Sequence, residues 1–126
     1  KVVETVKRLR EKGFLVLMDD FGSGYSSLNM LKNLNVDIIK LDAQFLRMDG
    51  SNRKGIHIMK SIVGMAKGME TPIIVEGVET KEEADFIMRL GCHYVQGFFF
   101  YRPMPVSDFE HLIGNAANIN PGGFAI

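Results

Sequence analysis

The sequence holds one cysteine, Cys92, which excludes an internal disulfide and fits a reducing cytosol. It has no excess of charge of one sign: 15 basic residues stand against 15 acidic ones. A neutral chain has no general pull toward a nucleic-acid polymer or an anionic membrane, so an anionic substrate must be handled locally. No apolar run approaches the roughly 20 residues of a membrane-spanning helix, and no membrane contact is expected of this segment. The glycines at 22 and 24 lack the Lys-Ser/Thr that completes a phosphate-binding loop of the nucleotide-cradling type. His57, His93 and His111 are scattered, without ligand spacing. No signal peptide is visible, and the chain opens on Lys1 rather than Met. It reads as a cytoplasmic piece of something longer, whose parent would carry any membrane anchor in other domains.

What is present is a core and a rhythm. The 126 residues are 46% hydrophobic, enough for one globular unit. Residues 2–12 read as the end of a helix stopped by Gly13. The apolar run 14–18 reads as a strand covered on both faces. A short helix over 26–34 leads to a second strand at 36–42. Residues 52–69 repeat apolar side chains at helical spacing (Ile56, Met59, Ile62, Val63, Ala66, Met69). A third strand spans 72–76. Thr80-Lys81-Glu82-Glu83 is a capping box opening a helix to Leu90. A fourth strand covers 93–96, with an extension into 98–100, and a last helix covers 105–117 with Phe109, Leu112, Ile113 and Ala116 as its apolar face. Residues 118–126 read as a loop tail. No linker or second domain is visible.

Strands alternating with helices imply an α/β fold with a parallel sheet and right-handed crossovers. An open doubly wound sheet and part of a (β/α)8 TIM-type barrel both satisfy this order. The strand ends favour the barrel: Asp19, Lys40, Glu76 and Gln96 all stand at carboxyl ends, where barrel enzymes gather their catalytic groups. A complete barrel needs roughly 250 residues, so this chain would supply half.

Alternation along a strand predicts which residues share a face. Leu15 and Leu17 fall with Asp19, Ile38 and Asp42 with Lys40, Ile74 with Glu76, and Tyr94 with Gln96. Asp20 has the wrong parity to join Asp19 unless the strand breaks, and Phe21-Gly22 is the expected break. Converging strand ends would crowd Asp19, Asp20, Asp42, Glu76 and Glu79 around one cation, Lys40. Like charges about 4 Å apart repel by roughly 4 kcal/mol at an effective dielectric of about 20. Such a cluster protonates or recruits cations, and oxygen donors without His or Cys suit Mg²⁺ or Mn²⁺. Two such ions can hold a phosphoryl group and activate water.

Plainer roles stand beside these. Asp19-Asp20 alone suits an Asp turn or a helix cap. Lys40 suits a structural partner for Asp42, and Glu79 a cap for the helix after Val78. Gln96-Gly97 suits a barrel-closing hydrogen bond. Cys92 reads as a small buried apolar residue, and Met59, Met65 and Met69 as core or interface.

Four segments together resemble a known family: Asp-Asp-Phe-Gly-Ser-Gly-Tyr-Ser-Ser at 19–27, Val-Asp-Ile-Ile-Lys-Leu-Asp at 36–42, Val-Glu-Gly-Val-Glu-Thr at 75–80, and Gln-Gly-Phe-Phe-Phe-Tyr-Arg-Pro-Met-Pro at 96–105. Their order and spacing are similar to those of the EAL-domain cyclic di-GMP phosphodiesterases, from about Val3 to Leu112. Ser23 replaces the family's usual Thr and keeps the hydroxyl, and Leu41 replaces a common Ile. The resemblance implies a (β/α)8 barrel that hydrolyses cyclic di-GMP to linear pGpG with two Mg²⁺ or Mn²⁺ ions. Carried over by position, Asp19 would bridge the metals, and Asp20 and Glu76 would bind the second. Lys40 would contact the attacking water or the phosphate, and Gln96 would help hold a water. Asp42 and Glu79 would support the site. The loop Phe21, Gly22, Ser23, Gly24, Tyr25 and Ser26 would belong to the family's dimerisation and site-coupling segment.

The chain resembles only the carboxyl-terminal half of that domain, about strands five to eight, so residues 1–126 read as a partial EAL domain. The Glu-Ala-Leu motif and the Asn and Glu ligands of the earlier strands are absent. The expected partners are cyclic di-GMP, the missing amino-terminal half of the barrel, and a second copy in a homodimer, including a half-to-half pairing across open sheet edges. The fragment alone is expected to be inactive. The alternative is a non-catalytic cyclic di-GMP receptor or interaction module.

Overall fold

A computed structural model describes residues 1–22, 27–47 and 53–115. The elements run α1 (Val2–Glu11), β1 (Leu17–Phe21), α2 (Ser27–Asn33), β2 (Ile38–Asp42), a short 3-10 helix (Ala43–Leu46), α3 (Arg53–Gly68), β3 (Ile73–Glu76), α4 (Lys81–Arg89), β4 (Tyr94–Gln96) and α5 (Val106–Gly114). The strands form one parallel sheet in the order β1-β2-β3-β4. Loop residues 23–26 and the tail expected over 118–126 lie outside the described residues.

Strand alternation divides the sheet into a buried face and an open one. Ile39 and Leu41 of β2, Ile73 and Val75 of β3 and Val95 of β4 are buried with Met59, Ile62, Val63 and Ala66 of α3 and Ala84 and Ile87 of α4. The opposite face carries Leu17, Ile38, Lys40, Ile74 and Tyr94, all half-buried or exposed. That face is left partly open, as the inner wall of half a barrel would be; of the described helices α5 approaches it, its Phe109 and Leu112 lining a cavity with Ile74 and Tyr94. The expectation that residues 14–18 are covered on both faces fails: Phe14 and Leu15, 61% and 69% exposed, precede the strand, and Leu17 within it stands on the open face.

The first strand also lies later than expected. It starts at Leu17 and runs on through both acids to Phe21. Asp37, expected inside β2, precedes it and ties the start of the sheet together. Its carboxylate accepts from the Val16 amide and from Arg10 of α1, both at 2.8 Å. The Val16 amide, with Arg10 second, holds the Asp37 carboxyl below the usual range.

The extension of the fourth strand into 98–100 does not form. The Phe100 amide turns back to Gly97 O at 3.0 Å and the Phe99 amide reaches Val78 O at 3.1 Å. A Cβ at Gly97 would collide with the Val78 backbone, so only glycine lets these two segments meet. The capping box forms as expected: the Glu83 amide donates to Thr80 Oγ1 at 3.2 Å, and the Glu83 side chain accepts from the Thr80 amide at 3.3 Å. Helices α1 and α5 flank the sheet's ends and bury no side chain; Phe109 and Ile113 of α5 are exposed.

Candidate active site

The carboxyl ends of β1, β2 and β3 bring four predicted residues together. Asp19, Asp20 and Glu76 each offer a carboxylate oxygen, and the three lie within 4.8 Å of one another. Lys40 stands among them, its Nζ 2.8 Å from Glu76 Oε2 and 3.5 Å from Asp19 Oδ1.

The pairing of Asp19 with Asp20 comes from a break in register. Met18 pairs with Ile39, but Phe21 pairs with Leu41, so β1 carries an extra residue at this point. Asp20 takes the left-handed conformation, φ 52°, and its amide donates to Asp19 Oδ1 at 2.8 Å. The expected break at Phe21-Gly22 is thus displaced: Asp20 itself is the irregular residue, and Phe21 re-enters the core, 4% exposed. Aspartate tolerates this backbone better than most side chains.

Lys40 does not pair with Asp42. The hydrogen bond to Glu76, helped by nearby Asp19, holds its ammonium above the ordinary lysine value. A lysine held protonated donates hydrogen bonds and positive charge; it is not a proton acceptor. Asp42 instead accepts from the Gln44 amide at 2.8 Å and caps the 3-10 helix, and it stands outside the three-carboxylate group. Gln96 pairs in register with Glu76, and its carbonyl accepts from the Val78 amide at 3.1 Å. Gln96 also borders a cavity of about 510 Å³ between the open face of the sheet at β3 and β4 and α5, lined by Ile74, Tyr94, Phe98, Phe109 and Leu112 among others.

Glu79 lies in the loop after Glu76, outside the carboxylate group, and meets Arg47 at 3.5 Å. Arg47 was not foreseen. Its guanidinium makes a two-pronged contact with Glu83, at 2.6 and 3.0 Å, and donates to the Gly77 carbonyl. Glu83 was legible as a capping residue, but nothing in the local sequence joins it to a residue thirty-six positions earlier.

All four chemical positions come from consecutive strands of one parallel sheet, with three carboxylates and a lysine at its carboxyl edge. A family model for the EAL domain matches residues 1–103. This chain belongs to the EAL domain family. Its fold is accordingly that of a (β/α)8 TIM-type barrel, of which the four-stranded sheet makes up half. Cyclic di-GMP phosphodiesterase NbdA of Pseudomonas aeruginosa is 34% identical over 113 residues, covering 90% of this chain and 14% of the relative. The EAL domain of Mycobacterium smegmatis DcpA matches with a TM-score of 0.83 and 33% identity, over 99% of this chain and 53% of that one. Klebsiella pneumoniae BlrP1, solved as a manganese/cyclic di-GMP complex, matches with a TM-score of 0.71 and 35% identity, over 79% and 26% of the two chains. The EAL segment here spans 14–22% of the length of the curated relatives it matches. Among the described residues no helix is long and apolar enough to cross a membrane.

Proposed function

We propose that this chain is the carboxyl-terminal half of an EAL domain that hydrolyses cyclic di-GMP to linear pGpG. The observation that carries the reading is the meeting of Asp19, Asp20 and Glu76 within 4.8 Å beside Lys40. Three carboxylates and no nitrogen or sulfur donor fit a hard divalent cation, Mg²⁺ or Mn²⁺. Asp19, Asp20 and Glu76 would hold it. A bound cation there supplies Lewis-acid charge for a phosphoryl oxygen and acidifies water.

The chain's own residues have distinct tasks in this reading. Lys40, kept protonated by Glu76, orients the attacking water or a phosphate oxygen and offsets developing negative charge. Gln96, opposite Glu76 in register, holds a water by its side-chain amide. Asp42 and Glu79 act through the loops they brace. One water adds across one phosphodiester: its oxygen bonds to phosphorus, the P–O bond to the ribose 3′-oxygen breaks, the 5′-ester stays, and a proton of the water goes to the departing 3′-oxygen.

The open edges of β1 and β4 and the exposed inner face suit the remaining half of an EAL barrel, whose strands would pair with both edges. The apolar groove beside β4 would take its neighbouring elements. Without that half, a second copy of this chain offers the same two edges and would close the barrel half to half. The buried thiol of Cys92 suits a reducing compartment, so the reading places the domain in the cytoplasm.

The deciding experiment assays a protein carrying this chain joined to the first half of an EAL domain, with Mn²⁺ or Mg²⁺. The expected result is pGpG that disappears with chelator and with Asp19→Asn. Cyclic di-GMP binding without product in the intact protein would establish the receptor reading instead. The 126-residue chain alone is expected to give no turnover, and a monomeric mass by light scattering at high concentration would sink the half-to-half pairing.

A further inference from the structure

The loop at 77–80 leaves β3 directly after Glu76 and is held from two sides. On one side the buried Val78 binds the β4 end through its amide to Gln96 O and its carbonyl to the Phe99 amide, both at 3.1 Å. On the other, Arg47 reaches across from the segment that follows β2. Its Nη2 donates to the Gly77 carbonyl, its Nη1 lies 3.5 Å from Glu79, and its fork grips Glu83. Glu83 passes the grip on: its Oε2 accepts from the Glu79 amide at 2.8 Å and the Thr80 amide at 3.3 Å. The pair is only partly exposed, with side-chain exposures of 33% and 12%. Acceptance by the Glu83 carboxylate holds the Arg47 guanidinium above its ordinary value, and donation from Arg47 holds the Glu83 carboxyl below its own.

These contacts join the ends of the two strands that carry Lys40 and Glu76. We propose that Arg47 is a positioning residue: through Gly77, Glu79 and Glu83 it sets the loop that fixes the Glu76 carboxylate against Lys40 and the two aspartates. Arg47 touches neither Lys40 nor a member of the carboxylate group. It acts on the cluster by fixing where β3 ends relative to β2. A guanidinium suits this because its planar fork holds a carboxylate at two points while a further N–H reaches a carbonyl; a lysine would supply the charge without the geometry.

The inference rests on the proposed metal site for its functional meaning, but its first test needs neither metal nor substrate. A double-mutant cycle on the stability of the full chain combines Arg47→Ala with Lys40→Met. If Arg47 positions Glu76 for Lys40, the two losses are coupled: Lys40→Met lowers the folding equilibrium constant at least about two-fold less in the Arg47→Ala background. Strict additivity would overturn the proposal. The second test titrates Mn²⁺ into the folded variants. Arg47→Ala is expected to weaken binding by about ten-fold, with Arg47→Lys recovering part of the loss. Unchanged Mn²⁺ affinity in Arg47→Ala, beside a wild type that binds, would reduce Arg47 to a merely structural brace and overturn the proposal. A coupled cycle in a chain that binds no Mn²⁺ supports the positioning role and counts against the metal reading instead.

Discussion

Lys40 donates to Glu76 across 2.8 Å from the neighbouring strand, so the cluster contains its own cation before any metal arrives. On the proposed function the lysine would compete with a divalent ion for the same carboxylate. Removing it should separate binding from chemistry. Lys40→Met is expected to bind Mn²⁺ at least as tightly as wild type, while hydrolysis by the intact domain falls by about 10²-fold or more. Calorimetric titration and a product assay on one preparation check both halves. Weaker metal binding in the variant would show that Lys40 braces the cluster rather than competing within it.

Asp20 sits at φ 52°, where a side chain costs roughly 1–2 kcal/mol and glycine costs nothing comparable. Asp20→Gly is expected to be more stable than Asp20→Ala by about 1 kcal/mol. Both should lose affinity for the divalent ion. Urea denaturation of the two variants tests this, and equal stabilities would mean that the strand straightens when the carboxylate is removed.

The close approach of Gly97 to Val78 makes a second backbone prediction. A methyl group there must push apart the turn after β4 and the loop after β3. Gly97→Ala is expected to destabilise the chain by about 1–3 kcal/mol and to disturb Gln96 beside it. Thermal unfolding reads the first effect, and amide shifts at Gln96 and Val78 read the second. A silent substitution would show that the two segments separate freely.

The pH dependence follows from Glu83. Arg47, the most important cause, and the Glu79 and Thr80 amides hold its carboxyl below the ordinary 4.5. A carboxylate with a depressed folded value contributes stability that is present above its unfolded value and is lost as pH falls through the folded one. The stability difference between wild type and Glu83→Gln should therefore be constant above 4.5 and shrink progressively below it. Melting temperatures of both proteins across that range check the sign. A difference that widens on acidification would remove Glu83 from the acid response.

Much of the architecture is legible in the sequence. The helical spacing of Ile56, Met59, Ile62, Val63 and Ala66 found α3, because one buried face imposes that period. The capping box found the start of α4 to the residue. Strand parity grouped Lys40 with Ile38 and Asp42, and Glu76 with Ile74, since regular pleating leaves no choice; the pairing of Lys40 with Ile74 then puts both groups on one face. The same rule misplaced the break near Asp20, because an extra residue in one strand is a relation with its neighbour and leaves no local mark beyond the acids themselves. The continuous apolar run 14–18 promised cover for Leu15 that this sheet does not give: an apolar side chain signals a need for burial, not which segment meets it. Arg47 was invisible for a related reason. Its partners are thirty and thirty-six residues away, and an arginine near the end of a short 3-10 helix has no periodic signature.

The extra residue in β1 has a further consequence. Met18 and Phe21 are both buried although three positions apart, whereas an even pleat buries every second side chain. Deleting Asp20 would put the strand back in phase, with Phe21 shifted up behind Asp19. Such a chain would have a smoother sheet and one acid fewer at its mouth. On the proposed function the second aspartate would be the position for which this strand gives up its regularity, serving the metal site rather than the packing.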